Sequence, residues 1–236
     1  MSTTLAALWL TEAEWSAVRL SLLVSVVAVA ASLPAGVVIA WVLARRSFWG
    51  KSLVETVINL PLVLPPVVTG YLLLVTFGTR GWVGSHLHEW FGIRVVFAWQ
   101  GAALASAIVA FPLLVRAIRV AFAAVDPRLE RAARTLGAGP VDAFFSVSVP
   151  LAMHGIVAGS VLAFARSMGE FGATIMIAGS IPGETRTVPL EIFHLLETPG
   201  GVDQAKRIVL VSVLISAAAL VVAEHLDRRE RRLLGR

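Results

Sequence analysis

Residues 129–151, LERAARTLGAGPVDAFFSVSVPL, form the longest charged interruption in an otherwise apolar chain. Four charged side chains fall within about two helical turns: Arg128, Glu130, Arg131 and Arg134. Gly137 and Gly139-Pro140 should end this helix, because glycine leaves a helix at little cost and proline cannot continue one. A second amphipathic run, residues 141–149, should end at Pro150. We predict two short helices joined by a turn, a shape that suits docking into a groove on another protein. A solvated surface loop is the alternative.

The composition around this loop indicates a membrane protein. The chain has 236 residues, of which 57% are hydrophobic and 15% charged, and its mean hydropathy is +0.82. A soluble domain would carry about 25% charged residues, so much of this surface should face lipid. Cysteine is absent, which excludes disulfides and thiolate metal sites. The formal net charge of +5 comes from arginines at the ends of apolar runs, which favours membrane topology over nucleic-acid binding.

Five apolar runs are predicted to cross a bilayer: residues 20–44, 53–77, 98–120, 156–178 and 208–222. The first four have the roughly twenty residues that a crossing needs, and the fifth is shorter. Residues 1–17 are too polar to span. Their tryptophans favour an N-terminal interfacial helix, and a terminal tail is the alternative. Residues 225–236 form a short basic tail, and residues 125–151 form a cytoplasmic loop. The sequence therefore predicts an all-α integral membrane protein: one transmembrane domain over residues 1–236, built as a polytopic bundle of five core helices plus the interfacial helix.

The positive residues predict the orientation of these spans. Thirteen of the twenty lysines and arginines lie on one side, within residues 45–51, 116–134 and 228–236. Six lie on the other side, and Arg166 lies inside a span. Because the side richer in positive charge faces the cytoplasm, five spans place the N-terminus outside and the C-terminus in the cytoplasm.

The second span contains three prolines within six positions: Pro61, Pro65 and Pro66. Proline removes a backbone donor and breaks regular helix. Broken backbone at membrane depth is tolerated only where protein or a water-filled cavity covers it. We predict that this segment, with Thr69 beside it, lines a pathway as broken helix. A plain proline kink is the alternative.

The fourth span contains Arg166, Ser167, Glu170 and Thr174. A charge inside a span costs at least a few kcal/mol, so it usually faces protein or water. Arg166 and Glu170 are four residues apart and can pair on one helical face. The pair is either part of the polar lining of an anion path or a buried ion pair that fixes helix packing.

Two sets of residues resemble a known family. Ala132-Ala133, then Gly137-Ala138, then Val147-x-Val149-Pro150 resembles the EAA loop of ABC-importer permeases, although the usual glutamate position holds Arg131 and Glu130 lies one place earlier. Residues 166–173, RSMGEFGA, resemble the signature of permeases for tetrahedral oxyanions. Residues 60–71, LPLVLPPVVTGY, resemble the molybdate branch more than the sulfate branch.

The resemblance to molybdate ABC transporter permease subunits implies the type I ABC-importer fold. It also implies a homodimer in the cytoplasmic membrane that moves molybdate, tungstate or sulfate. Two ATPase subunits would bind ATP and Mg and contact the EAA loop, and an extracytoplasmic molybdate-binding protein would deliver the anion. No cofactor is expected in this chain. A sulfate-type permease is the alternative within the family.

Other classes of protein are less favoured. The chain has no GxxxxGK[ST] phosphate loop, so it should not hydrolyse ATP. An intramembrane enzyme would need a paired nucleophile and base, whereas Glu170, His154 and Glu224 are dispersed in the sequence. A stand-alone secondary transporter usually shows internal repeats, and none is evident. His86 and His88 lack a third metal ligand nearby. We therefore predict no catalytic residues and no metal site.

Overall fold

The computed structural model describes residues 10–233 as a bundle of helices. Residues 1–9 of the predicted interfacial helix and residues 234–236 of the tail lie outside the described part. The helices are α1 (Glu12–Arg45), α2 (Lys51–Val63), α3 (Pro66–Phe77), α4 (Trp82–Phe91), α5 (Trp99–Ala124) and α6 (Pro127–Thr135). They continue with α7 (Pro140–Leu151), α8 (Met153–Met168), α9 (Gly172–Ala178), α10 (Val188–Glu197) and α11 (Val202–Leu233).

A capping box starts α1 at Glu12. The Thr11 backbone N–H donates to Glu14 Oε2 at 2.6 Å, and the Glu14 N–H donates to Thr11 Oγ1 at 3.3 Å. These bonds satisfy backbone donors that a helix start leaves free. Residues 12–17 are therefore the first turns of the long helix α1, and the prediction that they belong to a separate interfacial helix is wrong. The cap allows α1 to begin within the polar N-terminal segment, before the apolar run starts.

The prediction of an all-α membrane protein is confirmed. The number of spans depends on how bent helices are counted. Helices α1, α5 and the Val202–Val221 part of α11 are each long and apolar enough to cross a membrane. Helices α2 and α3 are bent by 110° at their junction, and α7 and α8 by 70°. The described residues reach five spans only if each bent pair counts as one.

Helix α5 is the centre of the bundle and packs against α1 and α8 along most of its length. Leu114, Ile118 and Phe122 on α5 are fully buried, in a cluster that also contains Leu43 of α1 and Ile156 of α8. In a water-soluble protein, fully burying one such side chain stabilises the fold by about 1.5–3 kcal/mol. Between membrane helices that gain is small, so close packing becomes more important.

Small residues bring α8 close to α5. Gly155 and Gly159 are one turn apart on α8 and face Ala121 and Ala117 of α5. A Cβ on Gly155 would overlap the Ala121 methyl, and a Cβ on Gly159 would lie 3.2 Å from the Ala117 Cβ. This is the small-xxx-small pattern that lets membrane helices touch backbone to backbone.

Three further predictions differ from the structure. The fourth span is not one helix, because α8 ends at Met168 and α9 begins at Gly172. The stretches between the predicted spans are not all loops, because helix α4 lies before α5 and helix α10 lies after α9. The predicted tail from residue 225 is helical as far as Leu233, as a continuation of α11.

We predict that Gly155→Ala destabilises the fold by about 1–3 kcal/mol, because the added methyl overpacks the α5–α8 contact. Gly159→Ala should cost less, since its neighbours need to move only a few tenths of an ångström. The matched control is Gly139→Ala, where nothing lies within 4 Å of the added methyl. Thermal unfolding of the detergent-purified chain measures all three. Equal midpoints for Gly155→Ala and Gly139→Ala would contradict the close contact.

Candidate functional site

Two breaks in membrane helices lie against each other. One separates α2 from α3 at Leu64-Pro65, and the other separates α8 from α9 at residues 169–171. Glycines allow the contact: a Cβ on Gly70 would lie 2.6 Å from the Ala173 carbonyl oxygen, and a Cβ on Gly172 would lie 2.8 Å from the Pro66 Cβ. The two breaks are therefore in direct contact at Gly70 and Gly172, and each covers part of the other's backbone.

Side chains and nearby carbonyls satisfy the backbone at the second break. The Ala173 N–H, at the start of α9, donates to Glu170 Oε1 at 2.8 Å. The Glu170 N–H donates to the Ser167 carbonyl at 3.1 Å. Glu170 thus caps α9 in the way that a polar residue caps a helix start in water. At the first break, the Leu64 N–H still reaches the Leu60 carbonyl at 3.0 Å.

Arg166 and Glu170 form an ion pair across the second break, with 2.8 Å between Arg166 Nη1 and Glu170 Oε2. The Glu170 side chain is 1% exposed and the Arg166 side chain 30% exposed. The predicted pairing is therefore present, although Glu170 follows the end of α8 and is not on one continuous helical face with Arg166. The carboxylate is buried, whereas the guanidinium reaches the protein surface.

The other predicted pathway residues divide into two groups. Pro65 and Pro66 are exposed at the first break, and Pro61 is half-buried. Thr69, Ser167 and Thr174 are buried, and their hydroxyl oxygens have no hydrogen-bond partner within residues 10–233. In this conformation the three hydroxyls line no open surface.

The polar loop of residues 125–151 has the predicted helix–turn–helix form. Asp126 caps α6 by accepting from the Arg128 N–H at 2.8 Å. Gly137 ends it with a φ of +99°, a value that favours glycine. The second helix ends at Leu151, one residue after the predicted end at Pro150. It contains a π-helical segment, Phe144–Ser148, and the chain turns at Ala152.

Glu130 faces the membrane helices. Its Oε2 accepts from Ser148 Oγ at 3.2 Å and lies 4.0 Å from Arg45 Nε, at the end of α1. Arg45 also donates to the Val125 carbonyl at 2.9 Å. The Phe144 ring packs edge-on against Trp41 of α1, with 5.3 Å between centroids. The loop is therefore anchored to α1 by a partly buried polar link and an aromatic contact.

The rest of the predicted loop set lies at the outer surface. Arg131, Ala132, Gly137 and Pro150 are exposed, and Ala133 and Ala138 are half-buried. Sequence reasoning missed three apolar side chains beside them: Leu136, 89% exposed, Val141, 68%, and Phe145, 65%. Large apolar side chains grouped on a charged loop indicate a surface that another protein covers. The sequence contained a signal for this surface, because large apolar residues are unusual in so polar a segment.

The residues of the enzyme hypothesis lie on different elements. His154 is in the first turn of α8, Glu170 is at the second break, and Glu224 is near the end of α11. Among the residues that the structure describes, no three His, Asp or Glu side chains are grouped as metal ligands. Nothing in this arrangement pairs a nucleophile with a base.

The chain matches a known protein family over residues 32–232, described as "Binding-protein-dependent transport system inner membrane component". It is 54% identical to the "Molybdenum transport system permease protein ModB" of Escherichia coli (strain K12), over 96% of this chain and 99% of that protein. The protein of the same name from Haemophilus influenzae is 50% identical, over 94% of this chain and 97% of its own length.

More distant comparisons agree in fold. The "Sulfate transport system permease protein CysW" of Synechocystis is 34% identical over 91% of this chain and 77% of that protein. Among solved structures, a bacterial ABC transporter involved in the import of the acidic polysaccharide alginate contains a similar chain. It has a TM-score of 0.74 at 16% identity, and the match covers 95% of this chain and 82% of that one.

We predict that Arg166→Ala destabilises the fold more than Glu170→Ala does. The arginine substitution leaves a buried carboxylate unpaired, at a cost of about 3 kcal/mol or more. Glu170→Ala removes a helix cap, worth about 1 kcal/mol, and leaves a guanidinium whose side chain is 30% exposed. The double substitution Arg166→Ala/Glu170→Ala should resemble Glu170→Ala alone. Thermal unfolding of the purified chain measures the order, and a less stable Glu170→Ala would contradict the buried-carboxylate geometry.

Proposed function

Since this chain belongs to the family of binding-protein-dependent transport system inner membrane components, we propose that it is the permease subunit of an ABC importer for molybdate. The observation that carries the proposal is the 54% identity, over 96% of the chain, to a molybdenum transport permease. The sulfate permease is a more distant relative at 34% identity, so the sulfate alternative is less favoured. Family membership confirms the prediction that the chain is a transport permease and not an enzyme.

In the proposed assembly, two copies of the chain form the channel. Two ATPase subunits bind ATP and Mg and contact the polar loop in the cytoplasm. An extracytoplasmic binding protein delivers the oxyanion to the other side. The exposed Leu136, Val141 and Phe145 support the loop as the ATPase contact, because they give it the apolar centre that protein interfaces use.

The proposed topology has the N-terminus outside and the C-terminus in the cytoplasm. The charge asymmetry of the sequence supports it. Helix α5 connects Ala98 to the polar loop at Val125 through 26 helical residues, so these two segments lie on opposite sides in either orientation. At 1.5 Å per residue the helix covers roughly 39 Å, enough to cross a bilayer.

The paired helix breaks are the proposed oxyanion path, with Arg166 as its attracting charge. A dianion that enters a low-dielectric cavity loses much of its hydration, and a fixed positive charge offsets part of that loss. Because Glu170 pairs with Arg166 at 2.8 Å, the resting charge is close to neutral. A moderated attraction lets the anion leave again, as conduction requires. Thr69, Ser167 and Thr174 would join the path when the breaks separate.

The link from the loop to α1 is the proposed route of mechanical coupling. When nucleotide binding draws the ATPases together, the loop should move with them. Arg45 and Glu130 connect the loop to α1, and α1 packs along α5. A rigid connection of this kind turns loop displacement into a tilt of membrane helices.

The function is tested by reconstituting the chain with its ATPase and binding protein in liposomes. ATP-dependent uptake of molybdate, reduced by tungstate more strongly than by sulfate, is the expected result. Copurification with the ATPase separates this function from an intramembrane enzyme and from a secondary transporter. Uptake without any ATPase, or strong preference for sulfate, would contradict the proposal.

We predict that Gly137→Leu uncouples the importer while the protein stays in the membrane. A large side chain at the turn would obstruct the close approach of the ATPase, although no atom of this chain lies within 4 Å of it. The matched control is Gly183→Leu, which has a similar positive φ of +76° and equally open surroundings but lies in the extracytoplasmic loop of the proposed topology. ATP hydrolysis and uptake in proteoliposomes measure coupling. Normal uptake and ATPase assembly in Gly137→Leu would contradict the docking role.

We predict that Arg166→Ala abolishes uptake and that Arg166→Lys retains a fraction, because lysine keeps the charge without the planar guanidinium. The neutral double variant Arg166→Ala/Glu170→Ala separates the two roles of the pair. If it folds, couples to ATP hydrolysis and transports at the parent rate, the pair is only structural. Uptake assays on variants of confirmed thermal stability provide the comparison.

A further inference from the structure

A cavity of about 660 Å³ lies where α3 ends, beside α4 and the start of α5. Most of its wall is apolar, including Leu74, Phe77, Ile93 and Val96. Its polar side chains include Arg80, Arg94 and His88. It is at the opposite end of α5 from the polar loop. The roughly 39 Å length of α5 therefore places the cavity at the level of the lipid headgroups.

Two positive charges in this cavity have no internal counter-charge. Neither Arg80 nor Arg94 forms a salt bridge with any residue that the structure describes. Glu89 is the only acidic residue in positions 66–98, and no ion pair joins it to either arginine. Both arginines are exposed and line the same cavity, so an anion in the cavity would be attracted by two positive charges.

Helix α4 has the features of a helix that lies in the membrane interface. Trp82 is 82% exposed and Trp90 is 73% exposed. Both line the same exposed groove of α4 as Val83 and Phe91. Tryptophan is favoured at the headgroup level, and so is a helix that combines an apolar face with nearby basic residues. Arg80 precedes this helix and Arg94 follows it, so the aromatic face and the two charges belong to one surface.

Backbone contacts hold this surface in place. A Cβ on Gly84 would overlap the carbonyl oxygens of Phe77 and Gly78, so α4 lies directly against the end of α3. The Phe97 N–H donates to the Ile177 carbonyl at 3.0 Å, and Phe97 has a φ of +56°. Because a non-glycine residue adopts this conformation at a cost, the surrounding contacts must fix the segment that carries Arg94.

We propose that this cavity binds one anionic phospholipid, with its phosphate between Arg80 and Arg94 and its acyl chains along the apolar wall. The negative charge of the headgroup complements the two positive charges of Arg80 and Arg94. The apolar wall favours a lipid over a free oxyanion, since a strongly hydrated ion gains nothing from contact with Leu74 or Val96. This site is separate from the proposed path at Arg166 and does not depend on molybdate transport.

The test is lipid retention by the full-length chain. The protein is purified from cells and washed with mixed micelles of phosphatidylcholine and detergent. Retained phosphatidylglycerol and cardiolipin are then counted per chain by mass spectrometry. The parent should keep one anionic lipid. Arg80→Gln/Arg94→Gln should lower its affinity about thirtyfold, which corresponds to roughly 1 kcal/mol for each charge.

Two variants distinguish a specific lipid-binding site from a general effect of positive surface charge. Arg19→Gln/Lys206→Gln removes two positive charges at the same end of the bundle but outside the cavity, and it should keep the lipid. Arg80→Lys/Arg94→Lys retains both charges and should keep most of it, which also shows that substitutions here are tolerated. Equal loss in the Arg19/Lys206 control, or no anionic lipid on the parent, would overturn the proposal. Radiolabelled molybdate that binds the washed parent and is lost with Arg80→Gln/Arg94→Gln would instead show a free-oxyanion site.

Discussion

Backbone groups at membrane depth must be satisfied without water, and this constraint accounts for the centre of the structure. The chain breaks two membrane helices and then packs the breaks on each other. Only glycines at positions 70 and 172 permit so close a contact. Glu170 replaces water by capping the second break, and its own buried charge then requires Arg166. The fixed positive charge that an oxyanion path needs is thus also required by the fold.

Helix packing also relates the helix breaks to the polar loop. Helix α5 packs against α1, α2, α3, α8 and α9, so it contacts both the helices beside the breaks and the helix to which the polar loop is anchored. At the loop end, Glu130 uses its carboxylate to join the loop to Arg45. The proposed ATPase contact is left to the apolar side chains around Gly137. The family position that usually holds glutamate is Arg131 in this chain, and it is exposed. The two proposed roles therefore fall on different parts of the loop: docking on the apolar side chains at the turn and on α7, and transmission on Glu130 of α6.

The sequence predicts features that depend on local chemistry and misses those that depend on packing. The break at Pro65 follows from proline chemistry and is found where expected. The break before α9 was not predicted from the sequence, because no proline marks it and the Glu170 side chain caps the start of α9 instead. Burial of Thr69 depends on α9, which is distant in sequence. Pro150 was a useful signal, since α7 ends one residue after it, at Leu151. The orientation of the Glu130 side chain toward α1 was not predicted, because it depends on Arg45, which is distant in sequence.

The central claim is that a positive charge at position 166 acts on the transported anion from a water-reachable site. Because the chain has no native cysteine, Arg166→Cys gives a single thiol for chemical rescue. The variant, reconstituted with its ATPase and binding protein, should take up no molybdate. Modification with a 2-aminoethyl methanethiosulfonate reagent should restore part of the uptake, and the 2-sulfonatoethyl reagent should not. Equal rescue by both reagents, or full uptake by the unmodified variant, would contradict the account.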